Sequence, residues 1–145
     1  MNYSIFAERL SELLFESQLN PPAFAAKIGC GRNTINRYLS GNNMPALNLV
    51  VRMADYFTCS VDFLMGTAQE NQNANFKDCP DFSEQLNFLC KHFGKTKYQL
   101  QKATQIPESA IYSWQSGNTT PTIESIEKIA DFFDCSMDFI LGRET

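Results

Sequence analysis

The stretch LSGNNMPALNLVVRMADYFTCSVDFLMG (residues 39–66) returns as QSGNTTPTIESIEKIADFFDCSMDFILG (115–142). Gly41, Pro45, Ala54, Asp55, Phe57, Cys59, Asp62, Phe63 and Gly66 recur as Gly117, Pro121, Ala130, Asp131, Phe133, Cys135, Asp138, Phe139 and Gly142, all at one offset of 76 residues. Upstream, Phe6, Glu8, Leu10 and Leu13 recur as Phe82, Glu84, Leu86 and Leu89 at the same offset. A unit this long, present twice, is a duplicated domain rather than a solenoid, whose repeats are shorter and more numerous. The chain of 145 residues therefore divides into two small domains, expected at 1–67 and 80–145. The segment 68–79, rich in Asn and Gln and without periodicity, reads as a linker.

Each copy reads as helical throughout. Phe6, Leu10, Leu13 and Leu14 recur at three and four residues, the spacing of one buried helix face, with Ser4 as the expected cap. Asn20 followed by Pro21 and Pro22 stops one helix and starts the next. Gly29 makes a bend, a second short helix covers 32–39, and Ser40 with Gly41 ends it. After Pro45 a longer helix carries an inner stripe of Leu47, Val50, Val51 and Ala54, and Ser60 caps a last helix closed by Gly66. In the second copy the stripe is Leu86, Leu89, Cys90 and Phe93, and capping boxes are expected at Asp81 with Glu84 and at Thr96 with Gln99. No stretch alternates as a strand does. The fold class is all-α.

Composition narrows the function. The five cysteines are odd in number and form no Cys-x-x-Cys pair, so neither a disulfide framework nor a metal site is indicated. Cys30, Cys59 and Cys135 fall where a small apolar residue would fill a helix junction. No segment has the length and apolarity of a membrane span, and the N-terminus has no signal-peptide pattern, so a cytoplasmic protein is expected. His92 is the single histidine, at a helix end, with no accompanying nucleophile or paired carboxylates, and no glycine loop could cradle a phosphate. No catalytic residue, metal or other cofactor is expected. The formal net charge of −4 excludes a general polyanion binder, so any nucleic-acid function must rest on a few well-placed cations.

The segment FAAKIGCGRNTINRYLSG (24–41) supplies them. It resembles the helix-turn-helix of the phage repressor and Cro group of DNA-binding domains, in which two helices cross at a short turn and the second lies in the major groove. The resemblance extends over the whole five-helix plan and implies two tandem lambda-repressor-like domains. In its terms Ala25 is small where the helices approach, Gly29 takes the turn, and Ile35 and Tyr38 anchor the second helix inward. Arg32, Asn33, Asn36 and Arg37 remain on the outward face. Arginine can donate twice to guanine, and asparagine can donate to and accept from adenine. Asn42 and Asn43, and the amides of the helix capped by Asn20, would lie beside phosphates.

The second copy departs from this pattern. Gln101 replaces Ala25, Gln105 replaces the turn glycine, and the outward face becomes Glu108, Ser109, Tyr112 and Ser113, followed by Asn118. Trp114 stands in place of Tyr38 and is expected in the core. Lys95, Lys97 and Lys102 cluster near the start of its second helix, where a phosphate contact would fall. The expected function is a sequence-specific DNA-binding transcriptional regulator, a repressor on the resemblance. Its partner is double-stranded DNA, met either as an intramolecular pseudo-dimer or as a homodimer joined through the second copy, and neither a membrane nor a small-molecule ligand is expected. The contrasting reading is a protein-interaction module, such as an antitoxin or anti-repressor partner, that has lost DNA binding.

Overall fold

The computed structural model describes residues 3–41, 43–70 and 76–144. Contacts divide the chain into two units, 1–74 and 75–145. Each described unit is built from five helices, and no strand occurs among the described residues. No helix among them is long and apolar enough to cross a membrane.

The first unit comprises α1 (Tyr3–Glu16), α2 (Pro21–Ile28), α3 (Arg32–Leu39), α4 (Leu47–Phe57) and α5 (Val61–Met65). α2 and α3 pack on each other, α1 lies against α3 and α5, and α4 lies against α2 and α5. The core is formed by Phe6, Leu10, Phe24, Ile35, Val50, Met53, Val61 and Leu64, all fully buried. Burying side chains of this size contributes about 1.5–3 kcal/mol each relative to exposure. Stops and starts are set by local chemistry. The Asn20 side chain accepts from the Ala23 N–H at 2.9 Å, and Ser60 Oγ accepts from the Phe63 N–H at 2.9 Å, each satisfying a donor that the helix itself leaves open.

The second unit repeats the order with α6 (Phe82–Phe93), α7 (Lys97–Thr104), α8 (Glu108–Ser116), α9 (Ile123–Phe133) and α10 (Met137–Leu141). Thr96 and Gln99 form the expected capping box, with both reciprocal bonds present at 3.0 and 2.9 Å. Asp81 does not: it occupies the cap position of α6 but its side chain accepts no cap bond. Ser4 likewise lies inside α1 rather than at its start. The inner stripes are narrower than their spacing suggested. Val50 and Ala54 are buried and Met53 joins them, whereas Leu47 and Val51 are half-buried, as are Leu13, Cys90 and Phe93. Cys59 is fully buried, but Cys30 and Cys135 are only partly covered. A helix of this length shows a flanking position to solvent wherever no neighbouring helix reaches it.

The end of the segment read as linker belongs to the second unit. The Lys77 N–H donates to the Arg143 carbonyl at 2.8 Å, and the Phe76 ring lies 4.2 Å from the Arg143 guanidinium. Arg143 is fully buried and paired with Asp138.

Candidate nucleic-acid interface

The turn between α2 and α3 is built on Gly29, whose φ of +83° and ψ of +37° place it in the left-handed region. Its N–H and that of Cys30 both donate to the Ala25 carbonyl, at 2.8 and 3.0 Å, closing α2. Arg52, reaching over from α4, donates to the Ile28 carbonyl at 3.1 Å. α3 then runs for two turns. Ile35 and Tyr38 point into the core, at 0% and 6% exposure, and Tyr38 meets Phe6 edge-on. Arg32, Asn33, Asn36 and Arg37 are all exposed, so the polar stripe and the apolar anchor occupy different sides of one short helix. Its end is tied down: the Ser40 hydroxyl donates to the Arg37 carbonyl at 2.6 Å, and Gly41 takes a left-handed conformation at φ +79°.

The cations of the first unit separate into two groups. Arg9 is a structural residue, with its guanidinium 4.1 Å from the centre of the Phe63 ring and bonded to the carbonyls of Phe63 and Ala68. Arg52 is structural through Ile28. Arg32, Arg37 and Lys27 are exposed, and among the described residues neither Arg32 nor Arg37 is held by a carboxylate. Arg37 borders a shallow hollow of about 380 Å³ together with Tyr3, Thr34, Tyr38, Asn43 and Met44, and no acidic residue lines it. Burial pushes the Tyr38 phenol up from its ordinary value, with Cys30 adding to the shift and Arg37 opposing it, so the hydroxyl is protonated and able to donate at neutral pH. Asn43 thus lies beside Arg37, while Asn42 falls outside the described residues.

The second unit keeps the scaffold and changes the surface. Gln105 adopts φ +60° and ψ +20°, and its N–H donates to the Gln101 carbonyl at 2.9 Å, as Gly29 does to Ala25. Ile111 and Trp114 are the buried anchors of α8, with Trp114 edge-on to Phe82. Glu108, Ser109 and Tyr112 are exposed, and so is Asn118 beyond the helix end. Ser113 is half-buried, and its hydroxyl is 2.6 Å from that of Thr119, so it faces the following loop more than the sequence spacing implied. Two of the three lysines are drawn onto the protein, while Lys95 is exposed: Lys97 donates to Asn87 at 2.7 Å, and the Lys102 ammonium lies 5.4 Å from the Tyr98 ring centre. A small cleft of about 180 Å³ sits here, with Tyr98, Tyr112 and Glu108 in its lining. The structural roles of Arg9 and Arg52 carry no sequence signal, because their partners are distant in the chain and are backbone carbonyls or a ring. Among the described residues no group of His, Cys, Asp or Glu is placed to hold a metal ion.

A short helix pinned on its apolar side, with its polar side open to solvent and a tight turn before it, defines a helix-turn-helix unit, and the chain carries two. The chain belongs to the helix-turn-helix family, whose sequence profile matches residues 23–64 and again 88–140, more than half of its length. A curated relative is the HTH-type transcriptional activator BcrR of Enterococcus faecalis, 33% identical over 64 residues. That match covers 44% of this chain and 31% of the relative, so the chain spans about a third of that protein's length. No solved structure matches the chain significantly.

Proposed function

We propose that the protein is a sequence-specific DNA-binding transcriptional regulator that inserts α3 into the major groove. The observation that carries this is the exposed set Arg32, Asn33, Asn36 and Arg37 on a helix whose other side is locked by Ile35 and Tyr38. A reading head must be rigid and its donors unpaired before contact, because a donor already satisfied by the protein gains little from a base. Arg32 and Arg37 supply bidentate donors for guanine, and Asn33 and Asn36 supply the donor–acceptor pair for adenine. Asn42, Asn43 and the amides at the start of α2 contact phosphates. Repression is the direction implied by the phage-repressor resemblance; the word activator belongs to the relative.

In this reading the second copy docks beside the first on one duplex. Lys97 and Asn118 lie along the backbone and Ser109 and Tyr112 face the groove, while Ser113 borders it from the loop side, bonded to Thr119. Because its outward face differs from that of α3, the preferred site is asymmetric. Tethering raises the effective concentration of the second contact without any new protein interface.

A second reading has its own observation. Tyr98 and Tyr112 are 65% and 63% exposed on adjacent helices. Exposed tyrosines near a carboxylate suit a protein contact better than a phosphate contact. Here the second copy joins two chains, and the site is a palindrome.

The test is binding of the purified protein and its Arg32→Ala/Arg37→Ala variant to an enriched duplex at physiological salt. Loss of specific binding with an unchanged circular dichroism spectrum supports the proposal; unchanged binding by the folded variant contradicts it.

A further inference from the structure

The two copies differ in a second place, away from the helix-turn-helix. In the first unit the Arg9 guanidinium lies over the Phe63 ring and donates to the carbonyls of Phe63 and Ala68. The second unit has the same backbone there. Thr67 and Ala68 donate to the Asp62 carbonyl at 2.8 and 3.0 Å, and their counterparts Arg143 and Glu144 donate to the Asp138 carbonyl at 2.9 and 3.4 Å. It also has the same ring, Phe139. At the position of Arg9, however, stands Gln85, whose shorter, neutral side chain donates to the Phe139 carbonyl at 3.1 Å.

Among the described residues no cation covers Phe139; a cleft of about 650 Å³ opens beside it, with its ring in the lining. Phe88 and His92, stacked on each other with ring centres 5.3 Å apart, also pack on Phe139 at 6.3 and 5.7 Å, so the three rings form one aromatic wall of the cleft. In the first copy these two positions are Glu12 and Glu16. The aromatic pair thus stands in the copy that lacks the arginine, and the charged pair in the copy that has it. Asp78 and Glu144 bring two carboxylates to the lining against the single ammonium of Lys77. The Glu144 carboxylate also accepts from the Ser136 hydroxyl.

We infer that this cleft binds a planar organic cation of small-molecule size, seated on Phe139 where the first copy seats its own guanidinium. Three physical features agree. Aromatic faces attract a cation, most strongly where water is partly excluded. The volume lies in the range of small-molecule sites, and the lining is largely apolar with a few polar groups. The carboxylates outnumber the ammonium, so the lining favours positive charge. The ring of the ligand stacks against Phe88 and His92, and its cationic head takes the seat that Arg9 fills in the first copy.

The probe is naphthamidinium, with the uncharged isostere naphthamide as comparison, titrated into the full chain without DNA and followed by calorimetry and saturation-transfer NMR. We expect saturable one-to-one binding of naphthamidinium and about tenfold weaker binding of naphthamide. Phe88→Ala, at a position already 48% exposed, should weaken binding about tenfold while leaving the fold intact. Gln85→Arg, which installs the first copy's own residue, should abolish binding by filling the seat. The inference is overturned if naphthamidinium does not bind the folded protein, if naphthamide binds equally well, or if both folded variants bind as the parent does.

Discussion

The ring of Tyr38 meets the ring of Phe6 edge-on, with centroids 5.9 Å apart and planes inclined by 60°. The second copy makes the same junction with different chemistry, Trp114 meeting Phe82 at 5.8 Å and 89°. In each copy this pair clamps the second helix of the helix-turn-helix to the first helix of the domain, and the edge-on geometry sets the ring quadrupoles favourably against each other. Emptying the pocket should therefore cost about 3–5 kcal/mol in either copy, the range for deleting a buried aromatic side chain. Thermal and urea unfolding of Tyr38→Ala and Trp114→Ala would show it. A loss below about 0.5 kcal/mol, within the ordinary scatter of surface substitutions, would mean that the junction does not hold the helix.

Gln105 occupies a backbone position better suited to glycine. It holds φ at +60° where Gly29, its counterpart, holds +83°. A side chain in the left-handed region costs about 1–2 kcal/mol. Gln105→Gly should accordingly stabilise the second domain by up to about 1 kcal/mol, part of the gain being offset by the greater freedom of glycine in the unfolded chain. The shift in the urea midpoint at unchanged slope is the measurement, and destabilisation would contradict the assignment of strain to this turn.

Two glycines separate conformational strain from steric conflict. A Cβ on Gly66 would fall 2.2 Å from Ile5 Cγ2, whereas a Cβ on Gly117 would have nothing within 4 Å. Both hold a left-handed conformation, at φ +86° and +81°. Gly117→Ala should cost about 1 kcal/mol, the conformational part alone. Gly66→Ala adds overpacking of about 1–3 kcal/mol, because Ile5 cannot withdraw without disturbing α1. Comparable losses for the two variants would show that Ile5 moves freely.

The thiols of Cys30 and Cys90 are both raised from their ordinary value of 9.0, chiefly by burial, with Arg52 and Lys97 respectively opposing the shift. At neutral pH both are protonated, and the thiolate is the reactive form. Since the folded state favours the neutral thiol, the stability this contributes is present below pH 9 and is lost as pH rises through the folded-state values. Alkylation of these two cysteines at pH 7.5, read by mass spectrometry, should be slower than that of a cysteine in an unstructured peptide. Equal rates would contradict it.

Much of this was legible in the sequence. The 76-residue offset exposed the duplication because the left-handed positions at Gly41 and Gly66 favour glycine and keep it at Gly117 and Gly142. Gln105 was legible for the same reason: the backbone position is inherited even when its best residue is not. Caps were less secure. Thr96 and Asp81 carry the same signature, yet only Thr96 makes the bond, because a cap depends on side-chain geometry that spacing does not fix. The partition of the arginines was not legible at all. Arg9 serves carbonyls at positions 63 and 68, and nothing local to Arg9 distinguishes it from Arg32. The cleft beside Phe139 leaves no mark in the sequence, because it depends on what the side chain of Gln85 does not cover.

Whether α3 reads DNA sequence is measured by selection from a random duplex library with the full chain at physiological salt, since that salt suppresses non-specific binding. One motif should be enriched by the parent chain and not by the Arg32→Ala/Arg37→Ala variant. An asymmetric motif would assign the second copy to the same duplex, and a palindrome would assign it to joining two chains. No enrichment by the folded protein would contradict the account and leave the helix-turn-helix as a scaffold for a protein partner.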